Sequence, residues 1–176
     1  MHWRMPECCG KRFAWFTTIT EFKLADNIIF LDFDGVMHPV GSCVWDADQQ
    51  KMHAQDAFRW WPHLERALES SPEVVYLVVH STWRLMWETD DELLAMLPLS
   101  MRPYVLGCTD RQYAGRERSI EMYVEKHGIT NFVVLDDEPK AFAKDYARLI
   151  PCDGAQGLSQ MSVVQALTDK LRSGLW

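Results

Sequence analysis

The sequence lacks any apolar run long enough to cross a membrane, which takes about 20 consecutive residues. The first 20 residues also lack the continuous apolar segment of a secretory signal, and they carry Arg4, Glu7, Lys11 and Arg12. The five cysteines are odd in number and scattered, a pattern that does not predict a disulfide framework. We therefore expect reduced thiols, a cytoplasmic location and no membrane partner.

The chain also lacks an excess of positive charge. It has 18 Lys and Arg residues against 25 Asp and Glu residues, which gives a formal net charge of −7. A net charge of this sign argues against non-specific binding to nucleic acid or to an anionic membrane. Short basic clusters occur at 11–12 and 111–118, so any such recognition has to be local. The sequence shows no internal repeat, and 176 residues with 48% hydrophobic content suit one globular domain.

The pattern of apolar residues predicts an N-terminal extension over 1–25 and one domain over 26–176. Within the extension, 13–19 is a strand candidate because it is rich in aromatic and β-branched residues. In the domain, 36–55 resembles a loop, and strands and helices alternate elsewhere. Strands are predicted at 28–33, 74–79, 103–106, 131–135 and 148–152, and helices at 60–69, 89–97, 115–127, 139–146 and 162–171. This alternation predicts an α/β Rossmann-like three-layer sandwich with a mainly parallel central sheet.

The most informative stretch is the predicted strand that begins at Ile28, because it runs directly into Asp32, Asp34 and Gly35. Open α/β sheets place their ligands at the carboxyl ends of the strands. Carboxylates beside a buried strand need a cation or hydrogen bonds to compensate their charge. The two aspartates therefore indicate a metal site.

Further polar groups follow the other apolar strands, at 80–82 and at Asp136 and Asp137. In a parallel sheet these strand ends share one edge, and Arg116 near the start of a predicted helix adds positive charge. Acids, a hydroxyl and a cation at one edge are what a metal-assisted phosphoryl transfer requires. We expect a Mg²⁺ site, since Mg²⁺ prefers oxygen ligands.

Each of these residues can be given a chemical role. Asp32 is the expected nucleophile, which forms an aspartyl phosphate, and Asp34 is the expected general acid and base. Ser81 donates a hydrogen bond to a phosphate oxygen, and Arg116 balances the charge of the transferred group. The catalytic set is thus Asp32, Asp34, Ser81 and Arg116. The expected metal site involves Asp32, Asp34, Asp136 and Asp137, with Asp32 and Asp136 as direct ligands and Asp137 direct or through water. The expected substrate contacts are Ser81, Thr82, Arg84 and Arg116.

The same residues resemble the haloacid dehalogenase (HAD) superfamily over about 26–170. Asp32-x-Asp34-Gly35 resembles its motif I, Ser81 its motif II hydroxyl, Arg116 its motif III cation, and Asp136-Asp137 its motif IV acids. The resemblance implies a Rossmann-like domain, dependence on Mg²⁺, an aspartyl-phosphate intermediate and, most often, phosphatase activity. The short segment 35–73 has no room for a separate cap domain. An uncapped site in this superfamily usually admits large or exposed phosphate groups, or else relies on a partner subunit to close it.

Two departures from the superfamily pattern leave alternatives open. Motif III is usually lysine, and here Arg116 or Arg118 takes its place; Arg116 fits the helical spacing better. The motif II hydroxyl is Ser81 or Thr82. The Trp83-Arg84 pair that follows resembles a small bacterial subgroup, some members of which occur in, or are proposed to serve, RNA-repair systems.

Rival interpretations remain for several of these residues. His80 is interpreted as a structural histidine and His38 as a loop residue in preference to a substrate contact. The phosphorylated substrate is left open among a sugar phosphate, a nucleotide, a phosphopeptide and a nucleic-acid end. The rival functions are a non-enzymatic phospho-accepting module like a response-regulator receiver, and a degenerate domain that binds without turnover. Dehalogenation is disfavoured because it has no use for an acid at Asp34.

Overall fold

The fold is described by a computed structural model that covers residues 27–46, 48, 51–54, 56–112 and 114–174. The predicted N-terminal extension and the strand candidate at 13–19 lie outside the described residues. Seven strands and four α-helices are present in the described part of the chain. They are β1 (Asn27–Leu31), β2 (Val44–Asp46), β3 (Lys51–His53), α1 (Trp61–Glu69), β4 (Val75–Val79), α2 (Asp90–Leu94), β5 (Val105–Cys108), α3 (Arg116–His127), β6 (Phe132–Asp136), β7 (Leu149–Pro151) and α4 (Met161–Ser173).

Five of the strands form one parallel sheet in the order β5-β4-β1-β6-β7. β1 is the central strand, since it pairs with β4 on one side and with β6 on the other. All five of its residues are buried. A strand covered on both faces reads as a continuous apolar run, which is the pattern seen in 28–31. The predicted α/β Rossmann-like architecture is confirmed.

Successive side chains of the central strands point to opposite faces and build two cores. Ile29 and Leu31 of β1 face one core, which also contains Leu64 of α1 and Leu167 of α4. The other core is lined from β1 by Ile28 and Phe30 and from α3 by Ile120 and Tyr123, with further residues of β4 and β6. Helices therefore cover both faces of the sheet, as the alternation of elements predicts.

The loop predicted over 36–55 contains a short hairpin, so that prediction is wrong in part. β2 and β3 pair antiparallel, with Val44 opposite His53. Strands of three residues are too short to give a period-two pattern in the sequence, which is why composition alone suggested a loop. Among the described residues between β1 and β4, the hairpin and α1 are the only regular elements other than turns, and no cap domain is formed there.

The helix predicted over 139–146 is also wrong. A 3₁₀ turn covers Pro139–Ala141, and Phe142 then adopts an extended conformation with φ −121° and ψ 157°. This change of direction buries the Phe142 ring in the core beside α3. Tertiary packing of one aromatic ring therefore overrides a weak local preference for helix.

Smaller differences concern the ends of elements. Thr89 and Glu92 form a capping box at the start of α2, but this helix ends at Leu94 rather than at the predicted 97, and turns follow it. Pro103, predicted to open a strand, lies in a 3₁₀ turn before β5. Gly128 ends α3 in the left-handed conformation, directly after the predicted helix at 115–127. No helix in the described part of the chain is both long and apolar enough to cross a membrane.

Candidate active site

Three acidic side chains meet where β1 and β6 end. β1 and β6 pair in parallel with Leu31 beside Leu135, so Asp32 and Asp136 leave the sheet at the same level. One carboxylate oxygen from each of Asp32, Asp136 and Asp137 lies within 4.8 Å of the other two. Asp32 and Asp136 are buried and Asp137 is half-buried. The structure thus brings together three of the four aspartates that the sequence proposes as metal ligands.

Gly35 allows this close approach of the turn after β1 to Asp137. Its φ is +70°, a left-handed conformation that glycine adopts readily. A Cβ atom at this position would lie 2.3 Å from the Asp137 Oδ2 atom. The glycine of the Asp-x-Asp-Gly motif is therefore needed both for its backbone conformation and for the space that Asp137 occupies.

The Arg116 guanidinium is the cation of this acidic group. Arg116 is the first residue of α3, and its Nη1 atom donates to Asp32 Oδ2 and to Asp136 Oδ2, the latter at 2.7 Å. Its Nε atom donates to Glu138 Oε2 at 3.0 Å. Arg118 points elsewhere, is exposed and pairs with Glu125 at 3.3 Å. Of the two arginines left open by the sequence, Arg116 is the one that contacts the acids.

Burial makes the charge of these acids unfavourable. It raises the pKa of Asp136 to about 7, the charge of Asp32 adds to this rise, and Arg116 opposes it. Burial, together with the charge of Asp32, raises the pKa of Asp137 to about 6. Burial raises the pKa of Asp32 as well, against the opposing effect of Arg116. One guanidinium therefore does not compensate three carboxylates that share a buried site.

This excess of negative charge fits a divalent cation. Three carboxylates and one guanidinium leave two negative charges, which a doubly charged ion balances. The candidate ligands are all oxygen atoms, and hard oxygen ligands are those that Mg²⁺ selects. The residues present thus fit the metal that the sequence analysis expects.

The loop after β4 brings Ser81 to the same edge of the sheet. Its hydroxyl hydrogen-bonds Asp32 and helps to lower the pKa of that carboxyl, and it also accepts the Trp83 N–H at 3.3 Å. Ser81 is fully buried, whereas Thr82 is half-buried at the start of a 3₁₀ turn. Of the two hydroxyls left open by the sequence, Ser81 therefore lies against the candidate nucleophile.

Arg84 and His80 belong to the same segment as Ser81, and both contact neighbouring parts of the protein. Arg84 is fully buried, and its Nη1 atom donates to the Ser81 carbonyl at 2.7 Å, so its described contact is with the loop backbone. His80 is buried, with Nδ1 2.8 Å from Thr109 Oγ1, and burial lowers its pKa to about 3. A histidine held neutral against a neighbouring loop agrees with the structural interpretation of His80.

Asp34 lies beside the acidic group but its carboxylate has different partners. Trp83 Nε1 donates to Asp34 Oδ2 at 2.7 Å, and His38 Nε2 lies 3.2 Å from Asp34 Oδ1. The side chain of Asp34 is 31% exposed, in contrast to the buried Asp32. Asp32 is thus a buried acid in contact with a cation, whereas Asp34 is a partly exposed acid in contact with an indole and an imidazole.

Sequence reasoning missed Glu138 and Trp83 and gave His38 only a minor place. Glu138 directly follows the motif IV acids, and its position next to them was the available signal. Trp83 was noted only as part of a subgroup pattern, and its indole N–H reaches Asp34 across 49 positions of the chain. His38 is fully buried against the motif I turn, which is a closer association with the site than a loop residue implies.

A comparison with protein-family models matches residues 28–163 to the family described as the HAD domain in Swiss Army Knife RNA repair proteins. The chain belongs to this family. The match begins within β1 and ends within α4, so it includes every residue of the acidic group. Both the HAD superfamily resemblance and the RNA-repair subgroup resemblance are confirmed. Comparison with curated proteins and with solved structures gave no match.

Replacement of Arg116 by Met should destabilise this HAD domain in the presence of EDTA. The change leaves Asp32 and Asp136 buried without their cation, and breaking a buried ion pair from one side lowers the free energy of unfolding by about 3–5 kcal/mol. Urea denaturation measures the loss. The matched control is Arg118→Met on the same helix, whose exposed ion pair should change stability by no more than about 0.5 kcal/mol. Equal losses in the two variants would contradict the assigned position of Arg116.

The raised pKa of Asp137 gives a second prediction. A carboxyl whose pKa is higher in the folded state stabilises the fold below its unfolded pKa, and this contribution is lost as the pH rises through the folded value of about 6. In EDTA, Asp137→Asn should therefore gain stability relative to wild type between pH 4.5 and 7, by about 1–2 kcal/mol after allowance for partial exposure. Urea denaturation of both proteins at each pH measures the difference, and contributions from histidines cancel in it. If this difference in stability stays constant over the pH range, the pKa of Asp137 is not raised in the folded protein.

Proposed function

We propose that this chain is a Mg²⁺-dependent phosphohydrolase that removes a terminal phosphate from a phosphomonoester through an aspartyl-phosphate intermediate on Asp32. The observation that carries the proposal is the environment of Asp32. This buried carboxylate contacts Arg116 on one side and Ser81 on another, and it shares a site with Asp136 and Asp137. Nucleophile, cation and hydroxyl donor are thus already assembled around one point.

In the first step, an Asp32 oxygen forms a bond to phosphorus as the bond from phosphorus to the leaving oxygen breaks. Asp34 gives its proton to the leaving oxygen. In the second step a water molecule attacks the phosphorus atom of the aspartyl phosphate, Asp34 accepts a proton from that water, and the bond to Asp32 breaks. Inorganic phosphate leaves, and Asp32 and Asp34 return to their starting states.

The other residues bind and neutralise the transferred group. Arg116 and Ser81 lie against Asp32, so their donors face the region where the phosphoryl oxygens arrive. Asp32, Asp136 and Asp137 would hold Mg²⁺, which supplies positive charge for the attack of one anion on another. Asp34, also counted among the metal ligands in the sequence analysis, has both carboxylate oxygens on Trp83 and His38 and is better suited to proton transfer.

The substrate we propose is the phosphorylated end of an RNA strand. The family to which the chain belongs is described by its occurrence in RNA repair proteins. A cavity of about 350 Å³ beside the acids is lined by Asp137, Glu138, Pro139, Lys140 and Ala141, and it gives space next to the reacting phosphate. The described residues form no cap domain over this edge of the sheet, which leaves access for a polymer end. A net charge of −7 agrees with recognition of the end rather than of the strand as a whole.

Replacement of Asp32 by Asn should abolish hydrolysis of an aryl phosphate in Mg²⁺. The amide is not a nucleophile of comparable strength, so kcat should fall by at least about 10³-fold. The fold should persist, because the change removes one of three crowded negative charges. Hydrolysis is followed by release of the aryl alcohol, with Asp169→Asn on the exposed face of α4 as the matched control. An Asp32→Asn variant with wild-type activity would remove the proposed mechanism.

The proposed substrate is tested with a panel of matched esters in Mg²⁺. Short RNA strands that carry a 5′-phosphate or a 3′-phosphate are compared with the corresponding mononucleotides and with glycerol phosphate. At least one RNA strand should exceed its mononucleotide in kcat/KM by about 10-fold or more, because contacts beyond the phosphate add binding energy in the transition state. Equal or higher kcat/KM for the mononucleotides would exclude a strand end as the preferred substrate.

A further inference from the structure

We infer that Trp83 and His38 are positioning residues that hold the Asp34 carboxyl group in the orientation needed to protonate the leaving oxygen. The inference rests on the proposed function, in which Asp34 is the general acid and base. It adds an assignment for two side chains that the proposed mechanism does not itself use.

The contacts engage both oxygens of Asp34. Trp83 Nε1 donates to Oδ2 at 2.7 Å, and His38 Nε2 lies 3.2 Å from Oδ1. Trp83 is 1% exposed and His38 is fully buried, whereas the Asp34 side chain is 31% exposed. Two buried side chains thus each contact one oxygen of a carboxyl group that is itself partly exposed to solvent.

The direction of the histidine hydrogen bond follows from its second nitrogen. The Phe58 backbone N–H donates to His38 Nδ1 at 3.3 Å, so Nδ1 is an acceptor and carries no proton. The ring proton is then on Nε2, which donates to Asp34. The indole N–H of Trp83 is a donor only. Both contacts therefore require acceptor oxygens on Asp34.

These two donors have little freedom to move. The Trp83 ring packs edge-on against Phe33 with centroids 5.5 Å apart and against Phe58 at 5.8 Å. The His38 ring lies 5.5 Å from Trp83 and 5.9 Å from Phe58. Edge-to-face packing of buried rings fixes their orientation as well as their position. The donors are thus set by the core rather than by Asp34 itself.

Fixed donors restrict where Asp34 can carry a proton. The lone pairs that face Trp83 and His38 are occupied, so the transferable proton is held on the exposed side of the carboxyl group. A general acid is effective only when this proton is within hydrogen-bond reach of the leaving oxygen. Trp83 also follows Ser81 by two residues, and its backbone N–H donates to the Ser81 hydroxyl at 3.3 Å. One short segment therefore aligns both the hydroxyl beside Asp32 and the acid at Asp34.

The experiment compares two esters that differ in their need for a proton. The aryl ester is 4-nitrophenyl phosphate, whose leaving group departs as a stable anion, and the alkyl ester is a 5′-phosphorylated RNA strand or glycerol phosphate. Single-turnover release of the leaving group isolates the first chemical step. In Trp83→Phe the rate should fall by about 10–100-fold on the alkyl ester and by less than about 3-fold on the aryl ester, since only the former needs general acid catalysis. KM should change little on either ester.

The matched control is Trp61→Phe. Trp61, the first residue of α1, is 4% exposed, and its indole N–H donates to Ser100 Oγ at 2.7 Å. The substitution therefore removes a comparable, partly buried indole hydrogen bond elsewhere in the fold. Its ratio of aryl to alkyl rates should equal that of wild type. A second pair of variants covers a failure of Trp83→Phe to fold. His38→Gln retains a donor and an acceptor and should keep the ratio near wild type, whereas His38→Leu should raise it.

Each outcome has a distinct meaning. The positioning roles are overturned if Trp83→Phe and His38→Leu lower the rates on both esters equally. They are also overturned if neither variant lowers the rates. Either result leaves the proposed function intact. A wild-type protein that releases neither leaving group in Mg²⁺ overturns the proposed function, and this inference with it. A selective loss on the alkyl ester, restored in His38→Gln, supports both.

Discussion

Two aspartates are buried side by side at the ends of neighbouring parallel strands, and Arg116 is the cation that contacts both. The arrangement depends on the sheet, because the register of β1 against β6 puts Asp32 and Asp136 at one level. It depends equally on α3, whose first residue is Arg116. Unpaired carboxylates at this depth are strongly unfavourable, so the ion pair links the sheet edge to the start of a helix on one face.

The site divides its acids by environment. Asp32, Asp136 and Asp137 lie close together and have raised pKa values, and Arg116 contacts the first two. Asp34 is partly exposed, and its carboxylate oxygens contact Trp83 and His38 instead. In the proposed mechanism these two classes have two tasks: the crowded acids would hold a metal ion and supply the nucleophile, and the partly exposed acid would exchange protons. The different neighbours of residues 32 and 34 thus separate roles that the motif alone leaves side by side.

Much of this could be predicted because the relevant signals are local. The continuous apolar run before Asp32 marks a strand buried on both faces, and parallel topology then brings distant strand ends to one edge. The contacts of Trp83 with Asp34 and of Glu138 with Arg116 were not predicted, since they join residues 49 and 22 positions apart and leave no periodic trace. The prediction of a helix at 139–146 was wrong for a related reason, because the burial of Phe142 depends on the core beside α3.

The superfamily usually has lysine where this chain has Arg116, and the contacts of Arg116 include one that lysine could not make in the same way. A lysine offers one ammonium group at the end of a flexible chain, whereas arginine presents several donors in a planar fork. Here Nη1 of Arg116 contacts Asp32 and Asp136, and Nε donates to Glu138, a contact for which lysine has no equivalent nitrogen. Glu138 is exposed, so this contact costs little desolvation while it fixes the plane of the guanidinium. Through its two kinds of nitrogen, Arg116 therefore joins the acid that follows motif IV to the two buried carboxylates.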